Sequence, residues 1–504
     1  KKNMNMNKKY ILSLLACAAF TACDMGLTPE TSISTGESVQ SVLDCQKYSN
    51  LIHGEWRGYI QGTYDMDALV QSGLITATAD YGNTYGAFYR WDYTISDGAF
   101  SGCWADNYNY IANANVLLKG RQALLDANTL SDSERAQVSL YMGHAYFSRA
   151  FAYFELARHF CKNYEPATAS SDYGVPLTLE YNPSSNASTY PGRSSLAETF
   201  KQITDDLAKA EKMVTTQGSV QSAYITIDVV KALKARVALE MEDYQTAISA
   251  ATALINGGKY TLMSDALAYA RMWRFDEGTE AIWQFFMNKN ELGPNALGSS
   301  FCGVIDKLPR PSYLPTKTVL DLYDQKNDIR YDAYFVYDSI DAQSVEDFEL
   351  TFCKKWPGNP ELYDGKTNVT NKTKAFRISE MYLIAAEAYA MSGDAANAFK
   401  MLNVLRTARI KGWTAQSYSG DALMKEIQDE YVRELFGEDP YLFNLKRWKK
   451  GLNRSKSEAQ VESYLPALGT DLVKAANDPW WVWPIPKNEI DSNPQIKDQQ
   501  NEGY

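Results

Sequence analysis

Histidine is scarce: the 504-residue chain holds three, His53, His144 and His159, too few for a His-rich metal or acid–base site. The seven cysteines are scattered, with no Cys-x-x-Cys, which argues against zinc and thioredoxin-like chemistry. Gly-x-Ser-x-Gly, His-Glu-x-x-His and Gly-rich phosphate loops are missing, and no motif points to a metal or an organic cofactor. A basic block is missing too. With 50 Lys and Arg against 61 Asp and Glu the net charge is −11, a poor match to the phosphates of nucleic acid. The apolar run at 11–20 (ILSLLACAAF) is ten residues long, about half of what a membrane-spanning helix needs.

What is present reads as a folded, secreted protein. Apolar residues at 45% and charged residues at 22% exclude a disordered or collagen-like chain. The aromatics, 34 Tyr and 11 Trp against 19 Phe, favour rings with an apolar face and a polar tip, which suit wet binding surfaces. Lys8 and Lys9 precede the apolar run, and Phe20-Thr21-Ala22-Cys23 then sets small residues before a cysteine. This is similar to a bacterial lipobox, so residues 1–22 are expected to be a lipoprotein signal peptide and Cys23 the acylated anchor. One acyl chain binds a membrane marginally; two or three hold it, at ~0.8 kcal/mol per buried CH₂. Residues 23–40 lack aromatics, Lys and Arg and read as a solvated tether. Cys45, Cys103, Cys161, Cys302 and Cys353 read as small buried thiols, with one disulfide left open.

Helical periodicity marks 111–125, 133–160, 196–214 and 227–256, then 376–409 and 422–448. The 133–160 segment is apolar on most sides and predicts a buried helix. Ala386, Tyr389, Gly393, Ala398 and Leu402 stand at tetratricopeptide spacings. Ala235, Ala238, Tyr244, Ala247, Ala251 and Leu254 form a looser copy, 151 residues earlier (Ala247 to Ala398) rather than the 34 of a regular array. The expected fold is mainly α: a divergent tetratricopeptide-like helical scaffold with long aromatic-rich loops. One body, 41–504, is expected, with repeat elements in 104–260 and 375–450. The irregular stretches 271–370 and 451–504 are expected to be functional loops.

A set of ordered motifs then points to a family. Trp104-x₃-Tyr108-x₂-Ile111-x₃-Asn115 is followed by the helix around Gly143-His144-Ala145-Tyr146-Phe147-Ser148-Arg149-Ala150 and the turn Gly174-Val175-Pro176-Leu177. Pro191-Gly192-Arg193-Ser194-Ser195 comes next, then Arg377-x₂-Glu380-x-Tyr382 and Asn403-x₂-Arg406-x₂-Arg409. Glu430-x₂-Arg433-Glu434-Leu435-Phe436-Gly437-Glu438, Leu445-Lys446-Arg447-Trp448, Pro484-Ile485-Pro486 and Gln500-Asn501-x-Gly503-Tyr504 complete the order. The chain resembles the SusD/RagB-like family of nutrient-binding outer-membrane lipoproteins. It departs from the family pattern at His144, Ser148 and Glu438-Asp439-Pro440. The resemblance implies a surface-exposed, lipid-anchored outer-membrane protein capping a SusC-like TonB-dependent transporter. It would deliver glycan, or in some branches peptide, to that partner.

A glycan site needs flat aromatic faces and side chains that exchange hydrogen bonds with vicinal hydroxyls. The stretch 80–93 (DYGNTYGAFYRWDY) has both, and Tyr81, Tyr85, Tyr89, Arg90 and Trp91 are candidates there. Trp104 and Asn107, one helical turn apart, are the leading pair, because in the family ligand residues often come from the first signature helix and the loop before it. Asn288, Asn290, Asn295 and Tyr313 are expected to form a second wall. Arg149, Arg377, Glu380 and Glu387 read as ion-pair partners between helices, and residues 446–450 (KRWKK) as a solvated helix end. Trp480, Trp481 and Trp483 read as packing the tail. The leading function is a non-catalytic binding protein in nutrient uptake. Its rivals are a secreted glycoside hydrolase, which needs two facing carboxylates, and a scaffold for protein partners.

Overall fold

The computed structural model describes residues 39–504 apart from 127–128, 306–307, 343–348, 364 and 366–368. The lipobox, Cys23 and the tether up to residue 38 therefore lie outside the described residues. Val39, assigned above to the solvated tether, is buried and packs against Gly120.

The fold is mainly helical. Its first helix, α1 (Val42–Tyr59), has no counterpart in the periodicity reading, yet its buried side chains Cys45, Ser49, Ile52, Trp56 and Tyr59 follow a 3–4 spacing. After α2 (Thr63–Val70) and the single turn α3 (Gly86–Arg90) comes α4 (Gly98–Asp126), which starts well before the expected 111. Helix α5 (Asp132–Phe160) opens on a Ser131–Glu134 capping box and is buried over nearly its whole second half, with Phe151 stacked on Trp56 at 4.2 Å. Helix α6 (Leu196–Met213) opens on a second capping box, Ser195–Glu198. The expected run 227–256 is two helices, α7 (Ile227–Glu240) and α8 (Tyr244–Asn256). Between them Glu242 turns left-handed (φ 60°) and Asp243 caps α8.

Residues 271–370 hold short elements, among them α9 (Ala296–Cys302). The run expected at 376–409 begins as a strand, Lys374–Arg377, and divides into α10 (Ile378–Met391) and α11 (Ala395–Arg409) at Gly393, whose φ of 82° a side chain would resist. Helices α12 (Gly420–Leu435) and α13 (Tyr441–Arg447) follow. The two repeat-like pairs, far apart in sequence, meet in space: α10 lies against α8 as well as against α11. The long insertion thus leaves the scaffold between two stacked repeats and returns to it. The strand Lys374–Arg377 pairs antiparallel with Ala281–Gln284 at that return.

The charges of the C-terminal signatures converge with others from outside them. Arg330, Arg377, Arg406, Arg409, Arg433 and Lys355 meet Glu280, Asp328, Glu426, Glu430, Glu434 and Glu438, most of them buried. Six cations against six carboxylates leave the cluster neutral, which is what makes its burial tolerable. Arg149 pairs with Asp206, Glu380 with Arg236 and Glu387 with Arg447, all between helices as expected. The basic run at 446–450 is not a solvated end throughout. Lys446 is buried and donates to the carbonyl oxygens of Arg158 and Cys161 at the end of α5, and Arg447 pairs with Glu240 as well. The five described cysteines are free and buried. Among the described residues no helix is long and apolar enough to cross a membrane, and no group of three or more His, Cys, Asp or Glu could hold a metal ion.

Candidate functional site

A short strand pair brings the two candidate loops together. Ile75–Ala77 runs antiparallel to Tyr313–Pro315, with Ala77 opposite Tyr313. Thr78 continues the register, its N–H and hydroxyl bonded to the carbonyls of Ser312 and Pro311. The segment after Ala77 is thereby laid beside the segment before Tyr313.

Between them opens a cleft of about 340 Å³. Thr63, Thr84 and Tyr85 form one wall, and Pro294, Asn295, Ala296, Ser299, Ser300 and Ser312 the other. Thr63 begins α2, Tyr85 precedes α3 at φ 55°, and Asn295 precedes α9 without capping it. Tyr85 is half-buried, with its hydroxyl near the Thr63 side chain. Burial and the nearby Asp67 carboxylate push its pKa up, so it stays a neutral donor and acceptor. The lining holds hydroxyls, one amide, one phenol ring and no charged side chain. It offers stacking and neutral hydrogen bonds, and no carboxylate pair for acid–base work.

Of the residues singled out from the sequence, Tyr85 and Asn295 are the ones this cleft unites. Tyr81 lies close by, half-buried, with its hydroxyl between Asn83 and Arg90 (3.1 and 2.9 Å). Arg90 is committed within its own loop, to Tyr81, Asn83 and an ion pair with Asp92 at 2.8 Å. Tyr89, Trp91 and Tyr313 are buried. Tyr89 lies under the guanidinium of Arg454, Trp91 packs edge-on against Trp481 at 5.0 Å, and the Tyr313 hydroxyl donates to the Thr84 carbonyl. Asn288 shapes a turn, its Oδ1 accepting the N–H groups of Asn290 and Glu291 (2.8 and 2.9 Å).

The leading pair stands elsewhere. Trp104 is 5% exposed, against Phe160 (5.1 Å between ring centroids) and Tyr108 (5.0 Å). Asn107 is fully buried and donates to the Tyr59 hydroxyl at 3.0 Å and the Cys103 carbonyl at 2.8 Å. Because α4 starts at Gly98, both lie inside a long helix facing the core instead of at its open end. Thr63, Thr84, Ser299, Ser300 and Ser312 escaped the sequence reading. Hydroxyl residues are too common to signal a site until strand pairing groups them.

A second cleft, about 390 Å³, lies where the tail meets the end of α5 and includes Lys162, Asn163, Lys446, Trp481 and Asn501. Several of its polar groups are already in use. Asn501 donates to the carbonyls of Phe160 and Trp483, Asn163 to that of Lys446, and Trp481 to that of Ala475. The tail tryptophans 481 and 483 are buried, as expected of packing residues.

Comparison with known proteins follows the same lines. Residues 321–504 match the model of the SusD family, and residues 63–239 match a model described as starch-binding associating with outer membrane. The chain is similar to the SusD-like protein P38 of Formosa agariphila, 24% identical over 401 residues that cover 72% of this chain and 74% of the relative. A solved SusD superfamily protein from Bacteroides thetaiotaomicron superposes with a TM-score of 0.75 at 25% identity, covering 92% of this chain and all of that one (100%). A SusD-like carbohydrate binding protein from Bacteroides vulgatus superposes at 0.73 with 17% identity, covering 90% and 97%, a likeness of fold. From the ordered signatures, the matched models and the shared fold, the chain belongs to the SusD/RagB-like family.

Proposed function

We propose that the chain is a non-catalytic, surface-exposed outer-membrane lipoprotein that binds oligosaccharide in the Tyr85–Asn295 cleft and delivers it to a SusC-like TonB-dependent transporter. The observation that carries the ligand class is the lining of the cleft: hydroxyls, an amide and a tyrosine ring, with no charge. A neutral sugar offers what this surface accepts, C–H faces for the ring and vicinal hydroxyls for the side chains. A peptide, with charged termini and side chains, would leave its charges without partners here. The descriptions of the matched outer-membrane model and of the B. vulgatus structure favour the same ligand class. The anchor rests on Thr21-Ala22-Cys23, and the transporter on family membership.

The test is calorimetric titration against a panel of neutral hexasaccharides, with products followed in parallel. Binding without turnover is expected. Tyr85→Ala removes a stacking contact on the order of 0.5–1.5 kcal/mol, so affinity should fall about two- to ten-fold. Asn295→Ala should weaken binding in the same direction. If Tyr85→Ala binds the hexasaccharide as the parent does, the cleft is not the site. Release of shortened sugar would make the protein a hydrolase.

A further inference from the structure

The loop that carries Tyr85 is held in an unfavourable conformation from outside. Asn83, Tyr85 and Trp91 all lie in the left-handed region (φ 59°, 55° and 55°), so the single turn α3 is bracketed by two aromatic residues whose side chains disfavour that backbone. One helical turn of five residues has no stability of its own. Something tertiary must hold it.

Arg454, on the strand Leu452–Arg454, stands at that place. It is 1% exposed, and its guanidinium lies 3.6 Å from the centre of the Tyr89 ring. Nη2 donates to the Tyr89 carbonyl at 2.6 Å and to that of Gly469 at 2.8 Å, Nε to that of Thr470 at 2.9 Å, and Nη1 to that of Val70 at 3.4 Å. Four carbonyls from three segments, the end of α2, α3 and the loop at 469–470, thus converge on one planar fork. Among the described residues no carboxylate lies within ion-pair distance of it, and burial lowers its pKa. The chain continues to the cleft: the Tyr89 ring meets Tyr313 edge-on at 5.8 Å, and Tyr313 donates to the Thr84 carbonyl at the rim. Asp471 is the carboxylate whose charge reaches Arg454, without an ion-pair contact; a buried cation so weakly compensated is costly, and nothing in the charge cluster at α10–α12 requires it.

We infer that Arg454 is a positioning residue for the ligand loop, holding α3 so that Thr84 and Tyr85 face the second wall before ligand arrives. This rests on the cleft proposed above being the site. Lysine in its place keeps the charge but cannot spread planar hydrogen bonds over three segments.

The test is hydrogen exchange on the ligand-free full chain, with hexasaccharide titration alongside. In Arg454→Lys, amides of 81–93 should exchange at least about tenfold faster, while those of α10 and α11 stay within twofold of the parent. Affinity should fall about tenfold, and saturating hexasaccharide should restore protection to 81–93. Gly469→Ala is the second variant. At φ 85°, with its Cβ 2.2 Å from Cγ of Arg90, it disturbs the same loop without removing the guanidinium, and should give a milder version of the pattern. Exchange at 81–93 unchanged in both variants, or raised evenly across the whole chain, overturns the inference. So does a loosened loop with undiminished affinity. If no hexasaccharide binds the parent, the cleft reading fails by itself, and exchange at 81–93 still decides whether Arg454 holds the loop.

Discussion

Trp104→Ala separates a core tryptophan from a ligand platform, because the two roles predict opposite pairs of results. The ring is 5% exposed, wedged between Phe160 and Tyr108, with Glu489 beside its indole N–H. Truncating a buried tryptophan costs about 3–5 kcal/mol. Unfolding entropy of about 2.1 cal/mol/K per residue, over 504 residues, is about 1 kcal/mol/K, so the Tm should fall by about 3–5 °C. Titration with hexasaccharide at 20 °C, well below the melt, should leave Kd within about twofold of the parent, since nothing in the Tyr85 cleft touches Trp104. Tyr85→Ala should do the reverse, weakening binding with a near-native melt. Scanning calorimetry and titration on both variants complete the comparison. A Trp104→Ala protein that melts like the parent and binds poorly would refute the argument and move the site to the start of α4.

Glu434 accepts from Arg330, Arg377 and Arg409. Burial would raise its pKa, but Arg409 and Arg377 outweigh burial and hold the carboxyl well below the usual range. Its stabilisation is therefore complete above the unfolded carboxylate value of about 4.3 and is lost as pH falls through the folded value. Glu434→Gln should cost about 3–5 kcal/mol at pH 7, and the gap in Tm from the parent should narrow below about pH 4; equal melts at pH 7 would contradict this. Gly437 has φ 74° and a would-be Cβ 2.4 Å from the Trp356 ring, so Gly437→Ala should destabilise the fold by about 1–3 kcal/mol of overpacking, read as a lower urea midpoint. Cys23→Ala should release the protein from the outer membrane. Unchanged membrane fractionation without a partner would count against the anchor. Mild-detergent extracts should yield the protein with a TonB-dependent barrel, and repeated recovery of it alone from extracts containing that barrel would count against the partnership.

The helical scaffold was legible in the sequence because periodicity, caps and small-residue spacing act over a few residues. Helices α5 and α6 and the two repeat-like pairs emerged from such local patterns, while the ion-pair partners Arg149, Arg377, Glu380 and Glu387 were read from their places in the family signatures. Boundaries failed where one residue's conformation mattered more than the pattern, as at Glu242 and Gly393. The proposed cleft was half legible. Both contributing loops were named, and Tyr85 and Asn295 do meet. Composition cannot tell a ring facing solvent from one facing the core, so Tyr89, Trp91, Trp104 and Tyr313 looked alike with Tyr85. That distinction belongs to long-range pairing. Ile75–Ala77 against Tyr313–Pro315 sets which faces of the two loops point into the cleft, and Arg454, 365 residues beyond Tyr89, holds one of them in place. The sequence by itself determined which segments coil into helices and which stay irregular, since those choices rest on neighbours along the chain. Only the tertiary structure decided which side chains remain open to a ligand, since exposure depends on what distant segments happen to cover.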